Sequence, residues 1–476
     1  GFQRIAHSGY NIYPNQAANS RESQSSSAES AIKSIEFGRN EKMRPVRTRC
    51  APAFLLAVPC ASSCTHVWVI QGGHTNQLCD IVPPLEVRKF RRVIRRPPRV
   101  FSTARFYVRA ETASQSQIRE NPQPLKCYIN KPSPVPPGLK LSDIIKTIPE
   151  KCFEKSYMKA FVEVLITALS SAAGLLLVKL SPWYLLPVSW FLAGTALTGV
   201  FVIGHDCAHN SFTPSKKLNE VIGILTLSTL LYPYDSWRLK HDYHHRHTNK
   251  LRVDNAWQPF NVAFYARQSK FNKRIFRLIK GPLWWLASIG HLFTEHYDMR
   301  KFSKKEQLRV KFSIACVYTF MATVLLPLLY FTGPLGLLKY YLLPYIGFHF
   351  WMSTFTMVHH TLPQIRFVPE EEWEQAQAQL GGTVHCSYPL WVDLLTHNIS
   401  VHVPHHVSTS IPSYNLPIAW ASIRENWGKH VHQCVFSVEL IQDITSRCHL
   451  YDATENYQTF EKWESTQPAI GSHRRS

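Results

Sequence analysis

The distribution of hydrophobic positions divides the chain into a polar N-terminal part and a body with long apolar runs. Residues 159–179 (KAFVEVLITALSSAAGLLLVK) and 181–203 (SPWYLLPVSWFLAGTALTGVFVI) follow one another after a short break, and Glu163 is the one charge inside the first run. Each run is long enough to cross about 30 Å of hydrocarbon as a helix. We therefore predict that the two runs form a transmembrane hairpin.

A second pair of apolar runs lies at 312–331 and 335–357. Four aromatic residues lie towards the ends of the runs, where membrane-surface aromatics are common: Trp183, Tyr184, Tyr330 and Trp351. Buried helices of a soluble protein are the alternative for any single run. Two closely spaced pairs favour an all-α integral membrane protein with about four transmembrane helices in two hairpins.

The apolar run at 218–232 (LNEVIGILTLSTLLY) is too short for an ordinary span, and we predict an interfacial or re-entrant segment there. Each hairpin returns the chain to the side that it left. If this short run does not cross, the segments that follow the two hairpins lie on one membrane face.

Composition separates the N-terminal part further. Residues 1–42 are rich in Ser, Asn and Gln without an apolar period, and we expect a disordered or non-native leader. Residues 43–110 contain twelve Lys or Arg against two acidic residues, a net charge of +10 out of +21 for the chain. This composition is typical of an organellar transit peptide. A basic nucleic-acid-binding arm is the alternative, but no nucleic-acid module follows it in the sequence.

The remaining boundaries follow from the same changes in composition. We predict a Pro-rich linker at 111–140, a membrane domain at 141–450 and a C-terminal tail at 451–476. The eleven cysteines include no C-x-x-C pair, so neither a disulfide framework nor a zinc ribbon is indicated.

Three histidine clusters follow the apolar runs: HDCAH with His205 and His209, HDYHH with His241, His244 and His245, and HVPHH with His402, His405 and His406. Spacings of three and four residues place the histidines of the second cluster on one face of a helix, while His247 points elsewhere. Pro404 is tolerated in a first turn, so His405 and His406 can open a helix with His402 just ahead.

The first cluster also resembles the zinc-protease motif H-E-x-x-H, but the shorter arm of Asp206 does not suit a general base on zinc-bound water. Eight imidazoles exceed the needs of one ion, because zinc takes four ligands and a six-coordinate metal at most six. Two ions with four or five nitrogens each would use them. Ligand type alone leaves zinc, copper, iron and nickel open.

At these clusters the sequence resembles the membrane-bound fatty acid desaturases, whose signature is HxxxH, HxxHH and HxxHH. Further strings resemble the plastid-type omega-6 (delta-12) acyl-lipid desaturases, over roughly residues 140–460: VIGHDCAHNSF, YPYDSWRLKHDYHHRHTNKL, DNAWQP, WMSTFTMVHHTLP, GGTVHCSYP, HNISVHVPHHVS, IPSYNL, ENWGK and CHLYDATENY. The resemblance implies two iron ions, O2 as co-substrate, ferredoxin as electron donor and an acyl chain of a membrane glycerolipid as substrate. It also implies a chloroplast membrane, with the active site in a helical cap that faces the stroma.

The resemblance carries over the metal ligands position by position: His205, His209, His241, His244, His245, His402, His405 and His406. A ninth ligand near the last span corresponds best to His360, with His359 as its competitor. Asp206 and Asp242 follow the first histidine of two clusters, and such carboxylates often orient imidazoles. His385 and His397 are candidates for the same role, with a surface or capping role as the alternative.

The acyl chain would enter a channel from the bilayer, and Trp237, Trp257 and Tyr234 would line it unless they only pack in the core. The sequence leaves two other functions open. A lipid hydroxylase or ketolase on the same scaffold would begin from the same C–H abstraction. A histidine-rich metal transporter would need polar residues inside the spans that line a path, and the runs are almost free of ionisable groups.

Overall fold

The apolar runs form long helices in the structure, a computed structural model that describes residues 125–452 and 454–467. Within these residues the α-helices are α1 (Leu141–Ile145), α2 (Tyr157–Leu180), α3 (Leu186–Ala208), α4 (Lys216–Thr229), α5 (Tyr234–His247), α6 (Val262–Ala266), α7 (Lys270–Lys280), α8 (Ala287–His291), α9 (Gln307–Phe320), α10 (Leu326–Leu337), α11 (Leu343–Val358), α12 (Gln375–Gly381), α13 (Leu390–Leu395), α14 (His402–Val407), α15 (Leu416–Trp427), α16 (Val438–Arg447) and α17 (Phe460–Ser465). The strands are β1 (Phe260–Asn261), β2 (Val384–Ser387), β3 (His432–Val435), β4 (Leu450–Asp452) and β5 (Asn456–Gln458). The predicted leader, transit segment and first part of the linker lie outside the described residues.

Helices α2 and α3 form the first predicted pair of apolar segments. The side chain of Ser156 begins α2 by accepting a hydrogen bond from the backbone N–H of Lys159. Ser181 and Pro182 then adopt extended backbone angles, and a 3₁₀ turn at Trp183–Leu185 leads into α3. Both segments are long and apolar enough to cross a membrane.

The second predicted pair is one helical segment, Gln307–Val358, which contains α9, α10 and α11 with π-helical turns between them. Gly333 interrupts it with non-helical angles (φ 68°, ψ −179°), and Pro334 follows. Three segments of the described chain are therefore long and apolar enough to span a membrane, against four predicted runs. The structure confirms a mostly helical protein with membrane-span character.

The aromatic residues near the run ends have two different environments. Trp183, Tyr184 and Tyr330 are exposed, as expected for side chains at a membrane surface. The prediction for Trp351 is wrong, because this side chain is 2% exposed and its Nε1–H donates to Thr195 Oγ1 at 2.7 Å. It joins α11 to α3 in the interior instead.

Small residues allow the apolar helices to approach closely. Helix α3 packs against both α2 and α11. A Cβ atom at Gly194 would lie 2.6 Å from the backbone of Gly347, and one at Gly174 would lie 2.9 Å from Ala193 Cα. Such close approach is typical of helices that associate in lipid. The packing fixes the C-terminal end of α3, which carries the first histidine cluster.

Helix α4 corresponds to the short apolar run and has 14 residues. It packs along α3, with the side chain of Leu227 against Gly204, and the ring of Tyr234 covers Gly223. At about 1.5 Å per residue this helix is shorter than a hydrocarbon core. It is not among the segments long enough to span a membrane, in agreement with the prediction.

Two small sheets and the first residues that the structure describes pack around the helices. Strands β2 and β3 are parallel, and β1, β4 and β5 form a second sheet. The backbone N–H of Val435 donates to Cys127 O at 2.8 Å, so part of the predicted linker lies against β3. Strand β5 and helix α17, which lie in the predicted tail, pack onto the body.

Candidate metal centre

The three histidine clusters meet at one end of the long helices, which confirms the predicted convergence. The last turn of α3 supplies His205, and His209 is the residue that ends this helix. Helix α5 carries the second cluster, and α14 carries the third. Helix α14 begins at His402 itself and holds Pro404 in its first turn, where the missing N–H costs no helical hydrogen bond.

The side chains form two adjacent groups that could each hold a metal ion. In the first group one ring nitrogen of each of five histidines lies within 4.8 Å of the others: His205, His209, His241, His245 and His405. The second group contains His244, His360 and His406 by the same measure. His402 lies beside the second group, with its Nε2 2.8 Å from Nε2 of His360. Helix α5 therefore supplies both groups from one face.

The geometry separates the two candidates for the ninth histidine. The ring of His360 belongs to the second group and meets the ring of His244 at a centroid distance of 4.5 Å. The ring of His359 stacks on Phe355 at 5.5 Å and on His402 at 4.6 Å, and its Nε2 lies 3.5 Å from the hydroxyl oxygen of Tyr388. Of the two candidates, His360 is thus the one whose ring nitrogen joins a potential metal-binding group.

Hydrogen bonds at Nδ1 direct several Nε2 atoms inward. His205 Nδ1 lies 3.0 Å from Asp206, His244 Nδ1 lies 2.7 Å from Asp254, and His406 Nδ1 lies 2.8 Å from the side-chain oxygen of Gln379. The Nε2 atoms of these three histidines are buried without a hydrogen-bond partner, as is that of His209. Buried polar atoms almost always have a partner, so this set fits a bound metal.

The two predicted aspartates differ in how well they are placed. Asp206 is buried, and it also accepts the backbone N–H of Ser413 at 2.7 Å. Asp242 lies 3.6 Å from His209 Nδ1, and its side chain is 38% exposed beside Arg238. The structure therefore gives Asp206 the stronger contact with a histidine of the cluster.

Sequence reasoning missed Asp254 and Gln379. Asp254 lies in the DNAWQP string, ten residues after His244, and the loop folds back to bring it to the ring. Gln379 lies on α12. Its Nε2 donates to the backbone oxygen of His245, and its Oε1 lies 2.8 Å from His406 Nδ1. Neither residue stands at a helical spacing from its histidine, so only the string around Asp254 carried a signal.

The other histidines singled out in the sequence lie outside the cluster. His247 turns away, as predicted, and its Nδ1 lies 2.9 Å from the carbonyl oxygen of Tyr243. His385 stacks on Trp420 with ring centroids 3.9 Å apart, so it does not orient a histidine of the cluster. His397 contacts Thr167 and Glu163 on α2.

Burial disfavours the charged form of most of the clustered imidazoles. Removal from water, with a smaller contribution from neighbouring histidines, lowers the pKa well below the ordinary value for seven of them: His209, His241, His245, His360, His402, His405 and His406. A neutral imidazole has a free lone pair for a metal ion. The electrostatics therefore agree with the geometry.

An apolar cavity lies directly against the cluster. Its walls include both α3 and α11, and six of its apolar or weakly polar lining residues are Thr198, Phe201, Val202, Met352, Phe355 and Ile399. His205, His244 and His360 border it. Trp237 and Trp257 line it as predicted, whereas the Tyr234 hydroxyl donates to Cys207 O at 3.2 Å. The cavity could hold a hydrocarbon chain beside the histidines.

Comparison with known proteins agrees with the helices and the histidine centre. The sequence model of the fatty acid desaturase family matches residues 181–437. The chain therefore belongs to the fatty acid desaturase family.

Among its relatives is the sn-1 oleoyl-lipid 12-desaturase of Synechocystis sp., which is 49% identical over 68% of this chain and 92% of the relative. The chloroplastic omega-6 fatty acid desaturase of Brassica napus is 48% identical over 70% of this chain and 76% of the relative. The chloroplastic omega-6 fatty acid desaturase of Arabidopsis thaliana is 47% identical over 70% of this chain and 75% of the relative.

Proposed function

We propose that this protein is an oxidoreductase that introduces the omega-6 (delta-12) double bond into monounsaturated acyl chains of membrane glycerolipids. The observation that carries the proposal is the cluster of converging histidines against an apolar cavity. The names of relatives that cover about two thirds of the chain support the reaction and its position.

The residues divide naturally between two metal ions. We assign His205, His209, His241, His245 and His405 to one ion, and His244, His360, His406 and the adjacent His402 to the other. Zinc has no redox chemistry, and removal of two hydrogens is an oxidation, so a redox metal is required. Two bound iron ions, with O2 as co-substrate, would supply the oxidising power for this step.

The protein itself positions and shields the reacting chain. The cavity between α3 and α11 would exclude water and hold the hydrocarbon against the histidines. Asp206, Asp254 and Gln379 would hold Nδ1 of their histidines and so keep Nε2 towards the metals. The position of the new double bond would then depend on how deeply the acyl chain enters the cavity.

The membrane arrangement follows from the same elements. We propose four spans, with α2 and α3 as one hairpin and a second hairpin that turns at Gly333 and Pro334. Both turns would then lie opposite the metal centre. The names of the plant relatives support a chloroplast membrane. We further propose that the centre faces the stroma and receives electrons from ferredoxin, as the family resemblance implies.

The proposal is tested by the lipids of a host that contains monounsaturated acyl chains and has no omega-6 desaturase. Expression of the protein should yield acyl chains that have lost two hydrogens, with the new double bond six carbons from the methyl end. Products that have gained one oxygen would instead identify a hydroxylase on the same scaffold. Unchanged lipids with folded, metal-loaded and reduced protein would refute the proposal.

A metal transporter fits the structure less well. Such a protein would need ionisable or polar side chains along a path through its spans. Within the described spans, the buried ionisable side chains Glu163 and His349 belong to neither histidine group, and each is hydrogen-bonded to a serine. The histidine centre itself lies at the helix ends. Metal uptake by the host without any lipid change would favour that alternative.

A further inference from the structure

Glu163 is a buried carboxylate on the apolar helix α2, and the reaction described above does not use it. The side chain is 7% exposed. Its Oε2 accepts a hydrogen bond from Ser413 Oγ at 2.8 Å, and its Oε1 lies 3.7 Å from His397 Nδ1. Burial of a carboxylate among apolar helices costs free energy unless it is paired, so these contacts explain how the residue is tolerated.

Ser413 links Glu163 to the histidine centre. While its hydroxyl donates to Glu163, its backbone N–H donates to Asp206 Oδ2 at 2.7 Å. Asp206 Oδ1 lies 3.0 Å from Nδ1 of His205, whose Nε2 points into the first histidine group. Three consecutive polar contacts thus connect a carboxylate on α2 to a histidine of the centre.

A second branch reaches the third histidine cluster. His397 Nε2 lies 2.5 Å from Thr167 Oγ1, one turn along α2 from Glu163. His397 and the following Asn398 both have positive φ angles, 48° and 56°, a conformation that is costly for a histidine and persists only where contacts enforce it. These residues directly precede the segment that enters α14.

Helix α3 approaches His397 closely at Gly199. A Cβ atom at Gly199 of α3 would lie 2.4 Å from the carbonyl oxygen of Leu395 and 3.4 Å from His397 Nε2. Glycine at this position therefore lets the turn after α13 approach α3. The branch is enclosed by α2, α3 and the loop that precedes α14.

We propose that Glu163 is a positioning residue for the metal centre. Its hydrogen bond to Ser413 fixes Asp206 and, through it, His205. Its position 3.7 Å from His397 Nδ1 helps to place the segment that leads into α14. The inference rests on the proposed metal centre. It assigns to the first apolar helix a direct role in the geometry of that centre.

The experiment uses the full chain in detergent, stripped of metal and titrated with Co²⁺, whose visible absorption bands report ligand geometry. Glu163→Leu should weaken Co²⁺ binding by about 10-fold to 100-fold, the usual effect of losing an outer partner of a ligand, and alter the bands. Glu163→Gln should restore both, because the amide oxygen still accepts the hydrogen bond from Ser413. Ser413→Ala should lie between them, since it keeps the backbone N–H contact with Asp206.

A matched pair of threonine variants separates positioning from general stability. Thr167→Val removes the contact with His397, whereas Thr195→Val removes an equally buried contact, with Trp351, that lies outside the network. Only Thr167→Val should change the Co²⁺ bands, while both should lower the melting temperature of the metal-free protein similarly.

Three results would overturn the proposal: unchanged Co²⁺ affinity and bands in Glu163→Leu, no rescue by Glu163→Gln, or equal band changes in both threonine variants. Failure of the unaltered chain to bind Co²⁺ at all would instead contradict the metal centre itself. The two failures are therefore distinguishable.

Discussion

At the residue scale, the direction of each imidazole is set by the partner of its outer nitrogen. His205, His244 and His406 each place Nδ1 on a carboxylate or an amide oxygen, which leaves Nε2 buried and without a protein partner. A fixed tautomer with an inward lone pair is what a metal requires. We therefore expect the outer residues to contribute to metal affinity without being ligands themselves.

Two histidines on α5 provide a matched test of ligand assignment. His244→Ala should abolish desaturation and reduce the bound iron, because the second group would lose one of its nitrogens. His247→Ala removes a ring that packs on Tyr243 of the same helix and belongs to neither histidine group, so this variant should retain both desaturation and bound iron. Iron content and lipid products of the purified variants measure the difference; full activity in His244→Ala would contradict the assignment.

Asp254 and Asp242 allow a comparison of outer carboxylates. Asp254→Ala removes a buried contact of 2.7 Å with His244 and should weaken metal binding by about 10-fold to 100-fold. Asp242→Ala removes a longer, half-exposed contact with His209 and should have a smaller effect. Chelator competition measures both affinities. An effect of Asp242→Ala as large as that of Asp254→Ala would show that the distance to the histidine does not determine how much a carboxylate contributes to metal affinity.

At the element scale, helices α3 and α11 both carry the centre and form the cavity beside it. The same packing places His205 at the end of α3 and His360 just after α11, so one pair of helices borders both the cavity and the histidine centre. The close approach at Gly194 and Gly347 makes this packing tight. We expect changes in the cavity wall to affect substrate binding without loss of metal.

Val202 and Val188 on α3 test this separation. Val202 lines the cavity, and Val202→Phe should block the acyl chain and lower desaturation while iron content stays near two per chain. Val188 is exposed on the same helix, and Val188→Phe should change neither quantity. Lipid analysis together with metal analysis distinguishes the outcomes. Parallel loss of iron and activity in Val202→Phe would indicate general damage to the fold.

Local spacing explains which elements could be predicted from the sequence. The i, i+3, i+4 pattern in HDYHH predicts one helical face, and the length of the apolar runs predicts helices, because both properties depend on nearby residues. The burial of Trp351 and the position of Gln379 on α12 depend on how distant helices pack. Asp254 and Glu163 reach their partners only after the chain folds back.

At the scale of the whole molecule, the arrangement of spans decides whether the three clusters share one membrane face. In the proposed topology the first and third clusters each follow a hairpin, and Ser181 and Gly333 mark the opposite turns. The short α4 would then keep the first cluster on the same side as the second. The convergence of the histidines and the proposed topology therefore depend on each other.

Epitope accessibility tests this topology in sealed membrane vesicles. An epitope inserted between Pro182 and Trp183 should be reached only from the face opposite the metal centre. One inserted between Lys304 and Lys305, in the exposed loop before α9, should be reached only from the face of the centre. Accessibility of both epitopes from the same side would contradict the four-span arrangement. Preserved lipid desaturation in each insertion variant is the control for intact folding.

We propose that the two groups of histidines hold two iron ions that act together on an acyl chain. The most direct measurement is the number of iron ions per chain in purified protein that desaturates lipid. We predict two, with both lost together with activity on chelation and both regained on reconstitution with iron. Full desaturation by protein with one iron ion per chain, or with a different metal, would contradict the account.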